Sequence, residues 1–154
     1  MDPEDDTLDQ TVAQIQEAIL NEARSIYSEE AIDHFLHPRN LGHMENPHGF
    51  GKVTGPCGDT MSIFLKVREG KIAEARFTTD GCASTIACGS IVTELIKGKA
   101  ISEVLEVSAA DVIEALVGLP GSSMHCAVLA AQTLQEAMGQ YLFIQRGKDR
   151  KTRS

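Results

Sequence analysis

Three of the four cysteines sit where a thiol can do chemistry. Cys57 lies in Gly55-Pro56-Cys57-Gly58-Asp59, between glycines that let the backbone turn sharply and leave the sulfur uncovered. Cys82 lies in Asp80-Gly81-Cys82-Ala83-Ser84, where a strand is expected to end and a helix to begin, and Cys126 follows His125 in the first turn of the last expected helix. A thiol at a helix N-terminus faces free N–H groups and the positive end of the macrodipole, which predicts an easily ionised Cys82 and Cys126. Three thiolates with Asp59 or His125 make a four-donor set of soft sulfur and one harder atom, suited to zinc or iron. There is no CxxC pair, so a zinc ribbon and a thioredoxin-type couple are excluded, and any metal site must be assembled from distant segments. Glycine-rich loops and helix starts point to an exchangeable site rather than a closed structural one. The fourth thiol, Cys88, falls on an apolar face with Ile91, Val92 and Leu95 and reads as core packing.

The elements that must position these groups are legible as periodicities. Leu8, Val12, Ile15, Ile19, Ala23 and Ile26 recur at helical steps, and Ser28 before Glu29 and Glu30 predicts a capped second helix to Leu36, ahead of Pro38. Residues 37–50 are rich in Pro, Gly, Asn and His and read as a loop. Met61 to Arg68 and Ile72 to Thr79 alternate as strands about a Glu69-Gly70 turn, with a third strand expected around Lys52 to Thr54. Helices are then expected over Ala83 to Ile96, Ala109 to Val117, and Ser123 to about Ile144. The order predicts an α+β fold: a small three-stranded antiparallel sheet, helices on one face, and an N-terminal helical extension. Because Cys57 enters the hairpin and Cys82 leaves it, the antiparallel return brings them to one sheet edge, where the last helix can deliver Cys126.

Charge excludes some functions and marks the ends. The 154 residues carry 14 Lys and Arg against 22 Asp and Glu, a net charge of −8. That is the wrong sign for nucleic-acid phosphates, and 5% aromatics without tryptophan supply no base-stacking platform. No apolar run approaches the ~18 residues of a membrane span, and the acidic start is neither signal nor transit peptide, so a cytoplasmic protein is expected. Residues 1–30 hold nine acids and one base, whereas Arg146 to Ser154 carry five bases and one acid. The expected organisation is an acidic amphipathic extension over 1–26, a domain over 27–145 and a basic, disordered tail over 146–154.

The motifs GPCGD (55–59), DGCAS (80–84) and MHCAV (124–128), led by YSEEAIDHFLHPRN (27–40), resemble the iron–sulfur cluster assembly scaffolds of the IscU type and the N-terminal domain of NifU. The resemblance runs from about Tyr27 to about Tyr141. It implies a non-enzymatic scaffold that takes sulfur from a cysteine desulfurase and iron from an iron donor, assembles a [2Fe-2S] cluster and passes it to apo-proteins. By position it implies Cys57, Asp59, Cys82, His125 and Cys126 as the ligand set, with Cys126 the persulfide acceptor. A site of three thiolates plus an oxygen or imidazole should hold its cluster less firmly than four thiolates, which suits delivery. The family's Leu-Pro-Pro-Val-Lys segment reads Leu119-Pro120-Gly121-Ser122-Ser123 here, so an Hsp70-type chaperone using that motif is not expected. Zinc-dependent sulfurtransferases of the SufU type share the cysteines and the aspartate, but carry an insertion between the second and third motifs and lack the histidine.

Two other readings stand beside the scaffold. One is a zinc-binding sulfur acceptor or regulator of a desulfurase, with zinc in the resting site. The other is a Cys-His nucleophilic enzyme, which is disfavoured because neighbours on a helix point about 100° apart, away from each other. His34, His37, His43 and His48 are irregularly spaced and read as solvated loop residues. The extension's apolar stripe of Leu8, Val12, Ile15 and Ile19 reads either as a solvated helix or as one that packs on the domain, on a second copy in a homo-oligomer, or on a desulfurase.

Overall fold

The computed structural model describes residues 3–152, with side chains over 7–148. Helix α1 (Pro3–Ile26) leads into α2 (Glu29–Leu36), and Ser28 joins them as an N-cap whose Oγ accepts from the Ala31 N–H at 3.0 Å. The same hydroxyl donates to the Leu116 carbonyl, so one serine both caps α2 and ties it to a distant turn.

Three strands follow as an antiparallel meander in chain order: β1 (Gly49–Thr54), β2 (Thr60–Arg68) and β3 (Lys71–Thr79). Glu69 and Gly70 have φ of 55° and 74°, the paired positive values of a two-residue hairpin turn that matches strand twist. β1 begins at Gly49, inside the segment expected to be loop. The register sets Gly51 opposite Ile63 and Ile63 opposite Phe77, so these share one face with Met61, Leu65 and Ala75.

Helices α3 (Ala83–Ile96) and α6 (Met124–Thr152) pack on that face, the single-sided arrangement expected from the element order. A Cβ at Gly51 would lie 2.5 Å from the Ala137 backbone nitrogen, so only glycine lets α6 lie so close on β1. Phe77, Ile63, Leu65, Val92, Leu134 and Met138 form the centre of the core. Cys88 lies among them fully buried, and burial pushes its thiol well above the ordinary range, which agrees with a packing role. Between α3 and α6 run the single turn α4 (Ile101–Val104), which has too few residues to show a period in the sequence, and α5 (Ala109–Ala115).

Residues 37–48 cover the opposite sheet face. The loop pairs with the β3 edge through Phe77 N–H to the Asn40 carbonyl and Gly42 N–H to the Phe77 carbonyl, both 2.9 Å. His43 meets the ring of Phe64 edge-on at 5.5 Å, and His48 Nδ1 accepts from the Val67 N–H at 2.9 Å. His34 Nδ1 lies 2.7 Å from Ser90 Oγ, which itself accepts from the Arg39 N–H. Three of the histidines expected to be solvated are therefore structural: His43 and His48 because the loop folds down on the sheet, and His34 because α2 packs against α3. The expectation of a disordered tail from residue 146 is also corrected: α6 continues to Thr152, since no proline interrupts it and Lys and Arg favour the negative helix end.

Candidate metal centre

The three cysteine motifs converge at one end of the sheet. In the β1–β2 connection, the Gly55 N–H donates to the Asp59 carbonyl at 2.8 Å, closing the turn that presents Cys57 and Asp59. The β3–α3 connection is locked to it, since the Thr60 N–H donates to Asp80 Oδ1 at 2.8 Å and Thr79 Oγ1 donates to the Thr60 carbonyl at 2.7 Å. Cys82 then stands at the N-cap of α3. A short 3₁₀ turn, Gly121–Ser123, leads into α6 and sets His125 and Cys126 in its first turn.

A ring of three hydroxyls joins the two helix starts. Tyr27 Oη lies 2.6 Å from Ser84 Oγ and 3.3 Å from Ser123 Oγ, and the two serines are 3.0 Å apart. Each hydroxyl can donate to the next, so the buried serines are satisfied without water. Tyr27 thereby connects the start of the domain to the residues flanking Cys82 and Cys126.

The candidate ligands fall into two triads, Cys57–Asp59–His125 and Asp59–Cys82–Cys126, in each of which the donor atoms lie within 4.8 Å of one another. All five residues singled out in the sequence are thus brought together, and Asp59 belongs to both triads. The donors are chemically suited to zinc or iron: three sulfurs, one imidazole and one carboxylate. Cys57 and Cys82 are exposed, whereas Cys126 is only 1% exposed.

At the centre is Thr85, which pattern reading passed over as one more residue of α3. Its hydroxyl donates to Asp59 Oδ2 at 2.9 Å, lies 3.3 Å from Cys126 Sγ and 3.7 Å from Cys82 Sγ. It folds back over Gly81, where a Cβ would come within 2.7 Å of Thr85 Cβ, so that glycine is needed for the hydroxyl to reach the thiols. A hydroxyl three residues after a cysteine N-cap is the only local signal that could have found it.

The two helix-start thiols differ, contrary to the prediction from helix polarity alone. Burial acts to raise the Cys82 pKa, but the Thr85 N–H and hydroxyl and the Ser84 N–H outweigh it, and the thiol is held below its ordinary value. Cys126 is pushed up to about 11 by burial, against which the Thr85 hydroxyl is the only opposing hydrogen bond. His125 and Cys126 also meet: Nε2 lies 3.5 Å from Sγ. The angular argument against this pair applies to Cβ directions, and in a first helical turn a long imidazole can swing round without striking a preceding turn.

A fold of this kind with thiols, a carboxylate and an imidazole clustered at one end of the sheet defines a domain with a candidate metal centre. Residues 26–148 match the model of the NifU-like N-terminal domain, and the chain belongs to that family. The iron–sulfur cluster assembly scaffold protein IscU 1 of Archaeoglobus fulgidus is 46% identical over 124 residues, covering 80% of each chain. The IscU of Escherichia coli K12 is 43% identical over 120 residues, 75% of this chain and 93% of its own. In fold the chain is similar to a NifU-like N-terminal protein of Brucella abortus (TM-score 0.61, 16% identity, 75% of this chain and 94% of that one). It is also similar to a putative SUF-system scaffold of Fervidobacterium islandicum (TM-score 0.59, 23% identity, 75% and 98%). No described helix is long and apolar enough to cross a membrane.

Proposed function

We propose that the protein is a scaffold on which an iron–sulfur cluster is assembled and from which it is delivered. The observation that carries this is the pair of triads sharing Asp59: five donors for a cargo that needs four. A surplus donor lets one ligand replace another without the site emptying, which a carrier requires and a permanent holder does not.

In this reading the cluster is a [2Fe-2S] unit held by Cys57, Cys82 and Cys126, with Asp59 or His125 completing the set. Sulfur comes from a partner cysteine desulfurase, iron from an iron donor, and apo-proteins receive the product. Cys126, at the position of the family's acceptor cysteine, takes the sulfur. Its thiolate attacks the outer sulfur of the desulfurase persulfide, forming a Cys126 persulfide and releasing the desulfurase thiolate. Its burial means that the site must open around Cys126 for this step, whereas Cys57 and Cys82 are open already.

Anaerobic reconstitution with ferrous iron, cysteine and a desulfurase tests the proposal. The expected product is brown, with sulfide-to-iron charge-transfer bands, and transfers its cluster to an apo-ferredoxin. Zinc held stoichiometrically so that it blocks reconstitution would overturn it in favour of the zinc-binding sulfur acceptor, for which the Asp59–Cys82–Cys126 triad offers suitable donors.

A further inference from the structure

Two exposed features far apart in the sequence are unexplained by the metal centre. On α1, Leu8, Val12, Ile15, Ile19 and Ile26 recur at steps of four, three, four and seven, the narrow stripe of a helix that meets another helix. These side chains are 45–62% exposed. On α6, the core-facing positions end with Ala137 and Met138, and beyond them Phe143 stands 79% exposed.

Phe143 is flanked by Gly139 and Gly147, four residues before and after it on the same helix face. A Cβ at either glycine would meet nothing within 4 Å. Each glycine costs a helix interior about 1 kcal/mol relative to alanine, and nothing among the described residues requires it. Two such positions around an exposed phenylalanine make a ridge with a gap on each side, the shape a second helix can approach closely.

The charges of the two helices are opposite, and they match in one direction. An antiparallel register that sets Val12 against Phe143 sets Leu8 against Gly147 and Asp9 against Arg146. In the sequence the same register sets Asp6 against Asp149 but continues with Asp5 against Arg150, Glu4 against Lys151 and Asp2 against Arg153, in segments outside the described side chains. A parallel arrangement would instead leave the acidic block against the neutral middle of α6.

We propose that α1 of one copy packs antiparallel on the overhanging end of α6 of a second copy, apolar stripe on the Gly139–Phe143–Gly147 ridge and acid against base. Both faces are open within one chain and each chain carries both, so reciprocal exchange closes a symmetric dimer with two identical helix contacts. The interface is independent of any bound cluster, because none of its residues is a candidate ligand.

Sedimentation velocity of the full-length, metal-free protein under reducing conditions tests this. The expected result at about 100 μM, well above a micromolar dissociation constant, is a dimer. Phe143→Asp and Ile15→Asp should each weaken it by about tenfold or more with unchanged far-UV circular dichroism, since both side chains are exposed. Asp9→Lys and Arg146→Glu should each weaken the dimer and the combination restore it, a rescue that α1 pairing with another α1 would not give. A monomer at that concentration, a dimer indifferent to Phe143→Asp and Ile15→Asp, or a combined charge variant no tighter than the weaker single variant would overturn the proposal. So would a chain that stays monomeric and uses the α1 stripe to bind a desulfurase.

Discussion

The Thr85 hydroxyl donates to Asp59 Oδ2 across 2.9 Å, and by that one bond a residue of α3 orients the only ligand candidate common to both triads. Partners that orient a metal ligand are worth about 10- to 100-fold in affinity. Thr85→Val, which keeps the shape and removes the donor, is expected to bind zinc about tenfold more weakly than the parent. Thr85→Ser should restore binding. Chelator competition measures both, and equal affinity in all three proteins would make Thr85 a packing residue only.

The cluster itself should respond to Asp59 in the opposite sense. In Asp59→Ala a hard oxygen leaves a soft site, and His125, already in the Cys57 triad, is at hand to complete four donors. The reconstituted variant is expected to keep its charge-transfer bands several-fold longer under chelator, about the lower end of the effects typical of ligand-shell changes. Transfer to apo-ferredoxin at the parent rate would count against a delivery role for Asp59.

The thiols should be distinguishable by alkylation followed by peptide mass spectrometry. Cys82 is exposed and its pKa is lowered, whereas Cys126 is buried and raised to about 11. At pH 7.5 iodoacetamide is expected to label Cys82 well before Cys126, with Cys88 reacting only on unfolding. Labelling of Cys126 should accelerate as pH rises toward its pKa. Equal rates at Cys82 and Cys126 near neutrality would contradict the site described above.

His34 supplies a pH dependence of stability. Burial holds its pKa below the ordinary 6.5, where Nδ1 lies 2.7 Å from Ser90 Oγ and that oxygen also accepts from the Arg39 N–H. The unfolded chain therefore takes up the proton first on acidification. This contribution to stability is complete above 6.5 and is lost as pH falls from there through the lower folded value. Thermal melts between pH 7 and 5 should show a smaller drop in Tm for His34→Gln than for the parent.

Gly51→Ala tests how tightly α6 is seated. The added methyl would fall 2.5 Å from Ala137 N and 2.6 Å from the Thr133 carbonyl oxygen, both backbone atoms that cannot turn aside. Overpacking of this kind costs up to about 3 kcal/mol. For a chain of this size that lowers Tm by about 9 °C. A loss of 2 °C or less, roughly what a cost under 1 kcal/mol would give, would mean that α6 shifts freely.

Much of this architecture is carried by short-range patterns. The alternation from Met61 to Arg68 and Ile72 to Thr79, the Glu69-Gly70 turn and the Ser28 cap each act within a few residues, so they are legible wherever they occur. The first residues of β1 are not, because Gly49 and Phe50 have no strand signal of their own. They are held by their partners on β2, by α6 lying close over Gly49, and by the Gln140 side chain accepting from the Phe50 N–H at 2.6 Å. His34 in α2 and His48 in the loop follow the same rule, since their partners lie 56 and 19 residues away.

By itself the sequence determined which residues could bind metal and that Cys57 and Cys82 would share one end of a hairpin, because residue chemistry and strand reversal are local properties. Only the tertiary structure decided that Asp59 would be common to two triads, that Thr85 would stand among the thiols, and that Cys126 would be harder to ionise than Cys82. Those outcomes depend on distances between segments and on how much water each group loses. Both are set by how α3 and α6 pack on the sheet, and no spacing along the chain encodes them.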